Sequence, residues 1–233
     1  MSTIRKATAS DLEHIRGWLQ QEKDDDHESF IVNIALIERG QESGSLTTLL
    51  EDDLPIAFAL GDSSIDVFAV KRDRRNSGVG RELASHWIED ALERDIIGFE
   101  GECSPSSSLG FWKKMGFTQV KSDNHHPRII MALGQSREIP ADREQINLRF
   151  ELFDSNGHAI PGWDKVRAAI IDKDDYMLER DFIAYVPDCR ANLFVLSDEP
   201  PIYKIVKVCD VEDVGGTRAG CWIRIRDFWS GPC

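Results

Sequence analysis

Between a β-like run and a helical one the chain reads Lys71-Arg72-Asp73-Arg74-Arg75-Asn76-Ser77-Gly78-Val79-Gly80. Four basic residues fall within five positions, beside two glycines and directly ahead of a helical pattern. Glycine lets a backbone approach a ligand closely, and a helix start offers free N–H groups at the positive end of its dipole. The chemistry open to such a loop is the cradling of phosphate. It lacks the Gly-Lys-Ser/Thr of a Walker loop, and the chain has no GxGxxG, so neither of those nucleotide sites is expected. His125 and His126 are adjacent and in extended chain would point opposite ways, which argues against a metal held by the pair. The cysteines Cys103, Cys189, Cys209, Cys221 and Cys233 are odd in number and form no CxxC pair. Neither a disulfide scaffold nor a structural zinc is expected, and a reducing cytoplasm is the expected compartment.

The 233 residues are 41% apolar and 30% charged, enough for one large core or two modest ones. The net charge of −13 disfavours duplex nucleic acid or an anionic membrane as the main partner. No apolar run approaches the roughly 20 residues that a membrane helix needs, and no signal peptide is expected.

The elements that must position the loop alternate between strand and helix. Thr3–Ala7 reads as a strand, and Ser10 or Asp11 can cap a helix with Leu12, Ile15, Trp18 and Leu19 on one stripe. Phe30–Arg39 has helical spacing and Gly40 would end it. Leu46–Glu51, Ile56–Leu60 and Ile65–Val70 follow as strands of an antiparallel meander. The glycine loop leads into a helix carrying Leu83, Ala84, Trp87, Ile88, Ala91 and Leu92, and then a strand over Ile96–Cys103. Ser104-Pro105-Ser106 can start a further helix with Leu109, Phe111, Trp112 and Met115, stopped by Gly116. Thr118–Lys121 and Arg128–Leu133 are the last strands of this half. The order is that of a mixed α/β sheet with a right-handed crossover.

These residues resemble the GNAT superfamily of acyl-CoA N-acyltransferases. Arg75-x-x-Gly78-x-Gly80 is similar to its R/Q-x-x-G-x-G/A motif, with Phe68-Ala69-Val70 before it and Arg81-Glu82-Leu83 after. Phe111 to Phe117 resembles the late helix ending in Gly-Phe, and Ile4-Arg5-Lys6-Ala7 with Asp11-Leu12 the first strand and helix. The resemblance spans about residues 1–135 and implies the GNAT fold, acetyl-coenzyme A as co-substrate and no metal. It implies that the amides of Asn76, Ser77, Gly78, Val79, Gly80 and Arg81 hold the pyrophosphate, and that Val70 pairs with pantetheine as an added strand would. Arg75 is a phosphate contact in this reading, with a solvated loop arginine the plainer alternative. Arg72 and Arg74 are candidates for the 3′-phosphate.

Acyl transfer would further need a polarised thioester carbonyl, ideally at an N–H near Val70, a base for the ammonium and a proton for the departing thiolate. Asp66 is the first candidate base, because burial in an apolar strand would raise its pKa; a solvent-facing strand-edge aspartate is the alternative. Glu100 and Glu102, on one face of the later strand, are the others. Two positions depart from the family. Trp112 stands where a tyrosine acid is common; as a coenzyme-site residue it can orient or pack, but its indole N–H cannot supply that proton. Ser106 or Ser107 replaces a frequent asparagine, where helix capping or a hydrogen bond to pantetheine fits. The acceptor implied is a small-molecule or peptide amine, and the acidic chain suits a cationic one. A second class is open: an acyl-CoA-binding regulatory or interaction protein with little transferase activity.

Beyond residue 135 the pattern changes. Residues 136–145 read as a linker, and 146–233 as a second, smaller antiparallel β-rich domain, a sheet or small barrel that resembles no family. Ile146–Phe153, Lys165–Ile171, Tyr176–Val186, Leu193–Ser197, Ile202–Cys209 and Cys221–Phe228 read as strands. Ser155-Asn156-Gly157, Pro161-Gly162, Pro200-Pro201 and Gly215-Gly216 read as turns. Dimerisation, covering the acceptor groove or binding a protein partner are the roles this domain could fill.

Overall fold

A computed structural model describes residues 2–120, 126–134, 136–172, 175–186, 190–197, 202–207, 213–217 and 220–229. Contacts divide the chain into two units, Met1–Met131 and Ala132–Cys233.

The first unit opens with strand β1 (Ser2–Lys6) and helix α1 (Ala9–Asp24). The cap of α1 is Thr8, not Ser10 or Asp11: the Thr8 hydroxyl accepts the Asp11 N–H while the Asp11 carboxylate accepts the Thr8 N–H. The expected Phe30–Arg39 helix is a 3-10 turn over Phe30–Asn33 running into α2 (Ile34–Glu42). Gly40 does not end α2 but lies buried within it, where an added Cβ would stand 2.1 Å from Leu60 Cδ1. It is glycine because the helix meets the sheet there.

Strands β2 (Leu46–Glu51) and β3 (Leu54–Leu60) are buried along most of their length, so both faces of the sheet are covered. Trp18 of α1 meets Phe58 on one face, with ring centroids 5.8 Å apart. Ile15, Leu19, Ile37, Phe58, Leu60, Val67 and Ala69 join the same core. The other face of β3 presents the small residues Ala57 and Ala59 by strand alternation, next to helix α3 (Val79–Glu93).

The expected single strand Ile65–Val70 is two strands, β4 (Ser64–Ile65) and β5 (Val67–Val70), in different sheets. Val67 pairs with Leu60 across the β3–β5 ladder, and the Asp66 N–H bonds the same Leu60 carbonyl at 3.0 Å. Two residues thus oppose one, which is a bulge, and bulges bend a strand out of its ladder. Before the bulge, β4 pairs in parallel with β6 (Gly98–Glu102); after it, β5 closes the order β1-β2-β3-β5. The second sheet of the unit runs β4-β6-β8-β7, with β7 at Thr118–Val120 and β8 at Arg128–Ala132. Pro105 precedes a 3-10 turn over Ser106–Ser108, so the late helix proper, α4, is only Leu109–Lys114. Trp87 of α3 packs on Phe99 of β6 at 4.6 Å.

Among the described residues the second unit is one antiparallel sheet of seven strands. They are β9 (Gln145–Phe153), β10 (Ala159–Asp172), β11 (Asp175–Val186), β12 (Asn192–Ser197), β13 (Ile202–Lys207), β14 (Asp213–Thr217) and β15 (Gly220–Trp229). The order is β13-β12-β9-β10-β11-β15-β14, with β13 and β14 at the edges. Alternate residues of β9, Ile146, Leu148, Phe150 and Leu152, face the core, where Phe150 stacks on Phe182 at 4.4 Å. Pro161-Gly162 is not a turn: it lies within β10, where the β9 register shifts between Ile160 and Asp164. Gly215-Gly216 is not a turn either and pairs with Cys221 and Trp222. Glycine and proline mark irregular pairing as well as chain reversal. In the expected linker, Arg137 donates its N–H to the Glu179 carbonyl of β11 at 2.7 Å. His125, Cys189, Cys209, Cys233 and Pro200-Pro201 lie outside the described residues.

Candidate functional site

The site grows from the bulge and the loop that follows it. The Lys71 N–H bonds the Ile56 carbonyl at 2.8 Å, so the antiparallel alternation turns the backbone groups of Phe68 and Val70 away from β3. Since β5 ends its sheet, those groups lie on an open edge. The phosphate-type loop comes next, with a 3-10 turn at Arg72–Arg74 and then left-handed Asn76 (φ 64°) and Gly78 (φ 97°). Gly78 is the N-cap of α3, and a left-handed cap suits glycine because an L side chain is strained there. The first intrahelical bond runs from the Glu82 N–H to the Gly78 carbonyl at 3.0 Å. The amides of Val79, Gly80 and Arg81 stand ahead of it, unclaimed by the helix. A Cβ built on Gly78 meets nothing within 4 Å, so the space at that position is open. Gly80 is closely packed: its Cβ position lies 3.3 Å from Val70 Cγ2 and 3.6 Å from Phe111, where α3 crosses β5 and α4.

The basic residues of the loop are mostly taken. Arg74 pairs with Glu51 at 2.8 Å and Lys71 with Asp73 at 3.7 Å. Arg75 is exposed on the loop, at 42%, as the plainer alternative has it, and its polar groups also bond within the protein. Its Nε–H donates to the Val70 carbonyl at 2.9 Å and its Nη2 lies 3.3 Å from Glu22 Oε2. Glu22, on α1, is 7% exposed, and its other oxygen accepts the Arg72 N–H at 2.9 Å. Glu22 is not among the residues expected from the sequence. The signal was present: with Ile15, Trp18 and Leu19 it falls at i, i+3, i+4 and i+7, on the apolar stripe.

The three candidate bases part company. Asp66 is exposed, as the solvent-facing alternative has it and not the buried one, and accepts the Ser64 hydroxyl at 2.7 Å. Glu100 is largely buried and ion-paired with Arg128 of β8. Glu102 is exposed at the end of β6. The β4–β6 register sets Ser64 against Glu100 and Ile65 against Gly101. Asp66 and Glu102 are next in that register, where the two strands separate.

Trp112 is 5% exposed, with Phe68, Phe111 and Phe117 around it at centroid distances of 4.9–5.0 Å. It packs α4 against β5. Ser106 is exposed and makes no capping bond, and Ser108 sends its hydroxyl to the Pro105 carbonyl at 2.8 Å. Cys103 is buried, and burial pushes its thiol up against a smaller opposing hydrogen bond with Ser108. Among the described residues no group of His, Cys, Asp and Glu side chains is arranged to hold a metal.

An edge strand parted from its neighbour, followed by a glycine-capped helix start, lies at the centre of a mixed α/β domain. Residues 4–117 match the acetyltransferase (GNAT) family model, and the first unit is a GNAT acetyltransferase domain. No family model matches the C-terminal region, and no curated protein matches the chain. Several solved structures are similar to 57% of the chain. One is an acetyltransferase of the GNAT family from Staphylococcus aureus Mu50 (13% identity, TM-score 0.47, 99% of that chain covered). A second is the PaiA N-acetyltransferase from Thermoplasma acidophilum in complex with coenzyme A (14%, 0.43, 99%). A third is the N-acetylglutamate synthase from Neisseria gonorrhoeae complexed with coenzyme A and N-acetyl-glutamate (16%, 0.46), of which the match spans 35%.

Proposed function

We propose that the N-terminal unit transfers the acetyl group of acetyl-coenzyme A to a primary amine. The observation that carries this reading is the open cradle at Gly78: unclaimed amides at the start of α3, a left-handed glycine cap and free space at that cap. These features fit a pyrophosphate, which is well held by many weak donors. The open edge of β5 fits the amide-bearing arm of the same molecule by strand addition.

When bound, acetyl-coenzyme A supplies an activated acyl group, and the chain's part is to orient it and manage protons. The Val70 N–H lies on the open edge and can polarise a carbonyl there. Asp66, exposed where the strands part, accepts the ammonium proton directly or through water, and with Glu102 favours a cationic acceptor. Glu100 is assigned no proton transfer, because Arg128 holds its carboxylate. A panel of amines with acetyl-coenzyme A, read by thiol release, tests the reading; turnover supports it and a silent panel counts against it.

Trp112 favours a second reading, a coenzyme-binding protein with little transferase activity. Its ring is enclosed by aromatic residues and brings no acid to the departing thiolate. Coenzyme binding by calorimetry without turnover of any amine would select that alternative.

A further inference from the structure

A carboxylate next to a phosphate site has the wrong charge for binding, yet Glu22 sits there with both oxygens engaged. One accepts the Arg72 N–H at 2.9 Å and the other faces Arg75 Nη2 at 3.3 Å. Arg75 passes the connection on through its Nε–H to the Val70 carbonyl at 2.9 Å. This hydrogen-bonded path runs from α1 to the end of β5 and spans the start of the loop. Burying a carboxylate costs desolvation, and its field opposes an incoming polyanion. Both costs make sense if the gain lies in holding the loop ready.

We propose that Glu22 is a positioning residue of the coenzyme loop: by fixing the Arg72 amide and the Arg75 guanidinium it keeps the amides ahead of α3 preorganised before any ligand arrives. The proposal rests on the coenzyme A reading above. It also gives a role to Arg75, which belongs to the glycine motif and, though 42% exposed, bonds to the strand and helix behind the loop. Loop order established in the free protein is order that binding need not create.

Calorimetry of the full chain with coenzyme A, comparing wild type with Glu22→Gln, Glu22→Ala and Glu51→Gln, tests it. Glu51 is the control, since it pairs with Arg74 of the same loop but is 42% exposed. Simple electrostatics makes every variant bind more tightly, because each removes a negative charge near a polyanion. Positioning gives the opposite sign at residue 22 alone. Glu51→Gln binds as tightly as wild type or more so, while Glu22→Gln weakens binding roughly three- to tenfold and Glu22→Ala by more than about tenfold. The order follows because glutamine still offers an oxygen to the Arg72 N–H. Hydrogen exchange on the ligand-free protein gives a second readout: amides over 72–80 exchange faster in the Glu22 variants, with the rest of the unit unchanged. Should Glu22→Ala fail to fold, Glu22→Gln decides by the same two measurements. Equal or tighter binding by Glu22→Gln overturns the proposal while leaving the coenzyme reading intact. A wild-type protein that binds no coenzyme A overturns both.

Discussion

Arg75 Nε–H donates to the Val70 carbonyl at 2.9 Å, so the arginine of the glycine motif grips the strand that the loop has just left. That bond occupies one of the backbone groups on the open edge of β5. The Val70 N–H and the backbone groups of Phe68 keep the same outward direction. The edge is therefore selective in what it offers, with one acceptor withdrawn and its neighbouring donor retained.

Gly78 and Gly17 make a matched pair, since a Cβ at either meets nothing within 4 Å. Only Gly78 has a positive φ, 97°, whereas Gly17 is inside α1. Gly78→Ala should cost about 1–2 kcal/mol of stability and weaken coenzyme A binding more than tenfold, roughly, by straining the cap. Gly17→Ala should raise stability by about 0.5–1 kcal/mol and leave binding unchanged. Chemical denaturation and calorimetry of both variants read these signs.

Arg128 and Glu100 cover each other, with side-chain exposures of 18% and 14%. Arg128→Ala leaves a largely enclosed carboxylate without that partner, and a loss of about 1–3 kcal/mol in urea unfolding is expected. Replacing both residues by apolar ones of similar size should recover most of it.

Asp11 provides a pH-dependent contribution. Burial alone would push its carboxyl up, but the Arg5 guanidinium at 2.5 Å and the N–H and hydroxyl of Thr8 outweigh that and hold it below the usual carboxylate range. The folded protein therefore binds this proton more weakly than the unfolded chain does. The contribution is complete above the unfolded value, about pH 4, and is lost as pH falls through the lower folded value. Asp11→Asn should flatten the acid limb of a stability–pH curve measured by thermal melting.

Cys103 should resist alkylation. Its thiol is buried and held up by that burial, so little thiolate forms at neutral pH. Peptide mapping after iodoacetamide treatment at pH 8 is expected to find Cys103 unmodified in folded protein and modified in urea; labelling in the folded state would contradict its placement.

Much of the element order was legible because alternation and helical stripes report burial directly. Leu46–Glu51 and β2 coincide, as do the expected and observed apolar faces of α1 and α3. The loop was legible for a similar reason, since glycine is favoured locally by φ at Gly78 and suits the close packing at Gly80. The break at Asp66 was not, because Ile65-Asp66-Val67 keeps a strand pattern throughout. What divides it is the choice of partner, β6 before and β3 after, and partners distant in sequence leave no local mark. The side-chain roles of Arg75 and Glu22 stayed hidden for the same reason. Glu100 looked like a free carboxylate because Arg128, its partner, lies on another strand.

The bulge at Asp66 has a cost as well as a use. By turning β4 away it leaves the far side of β5 without a partner strand among the described residues, and such an edge templates any extended chain that reaches it. A ligand seated along β5 then acts as a plug against self-association. The empty protein should be the more aggregation-prone form, scattering more light on gentle warming than the same protein saturated with coenzyme A.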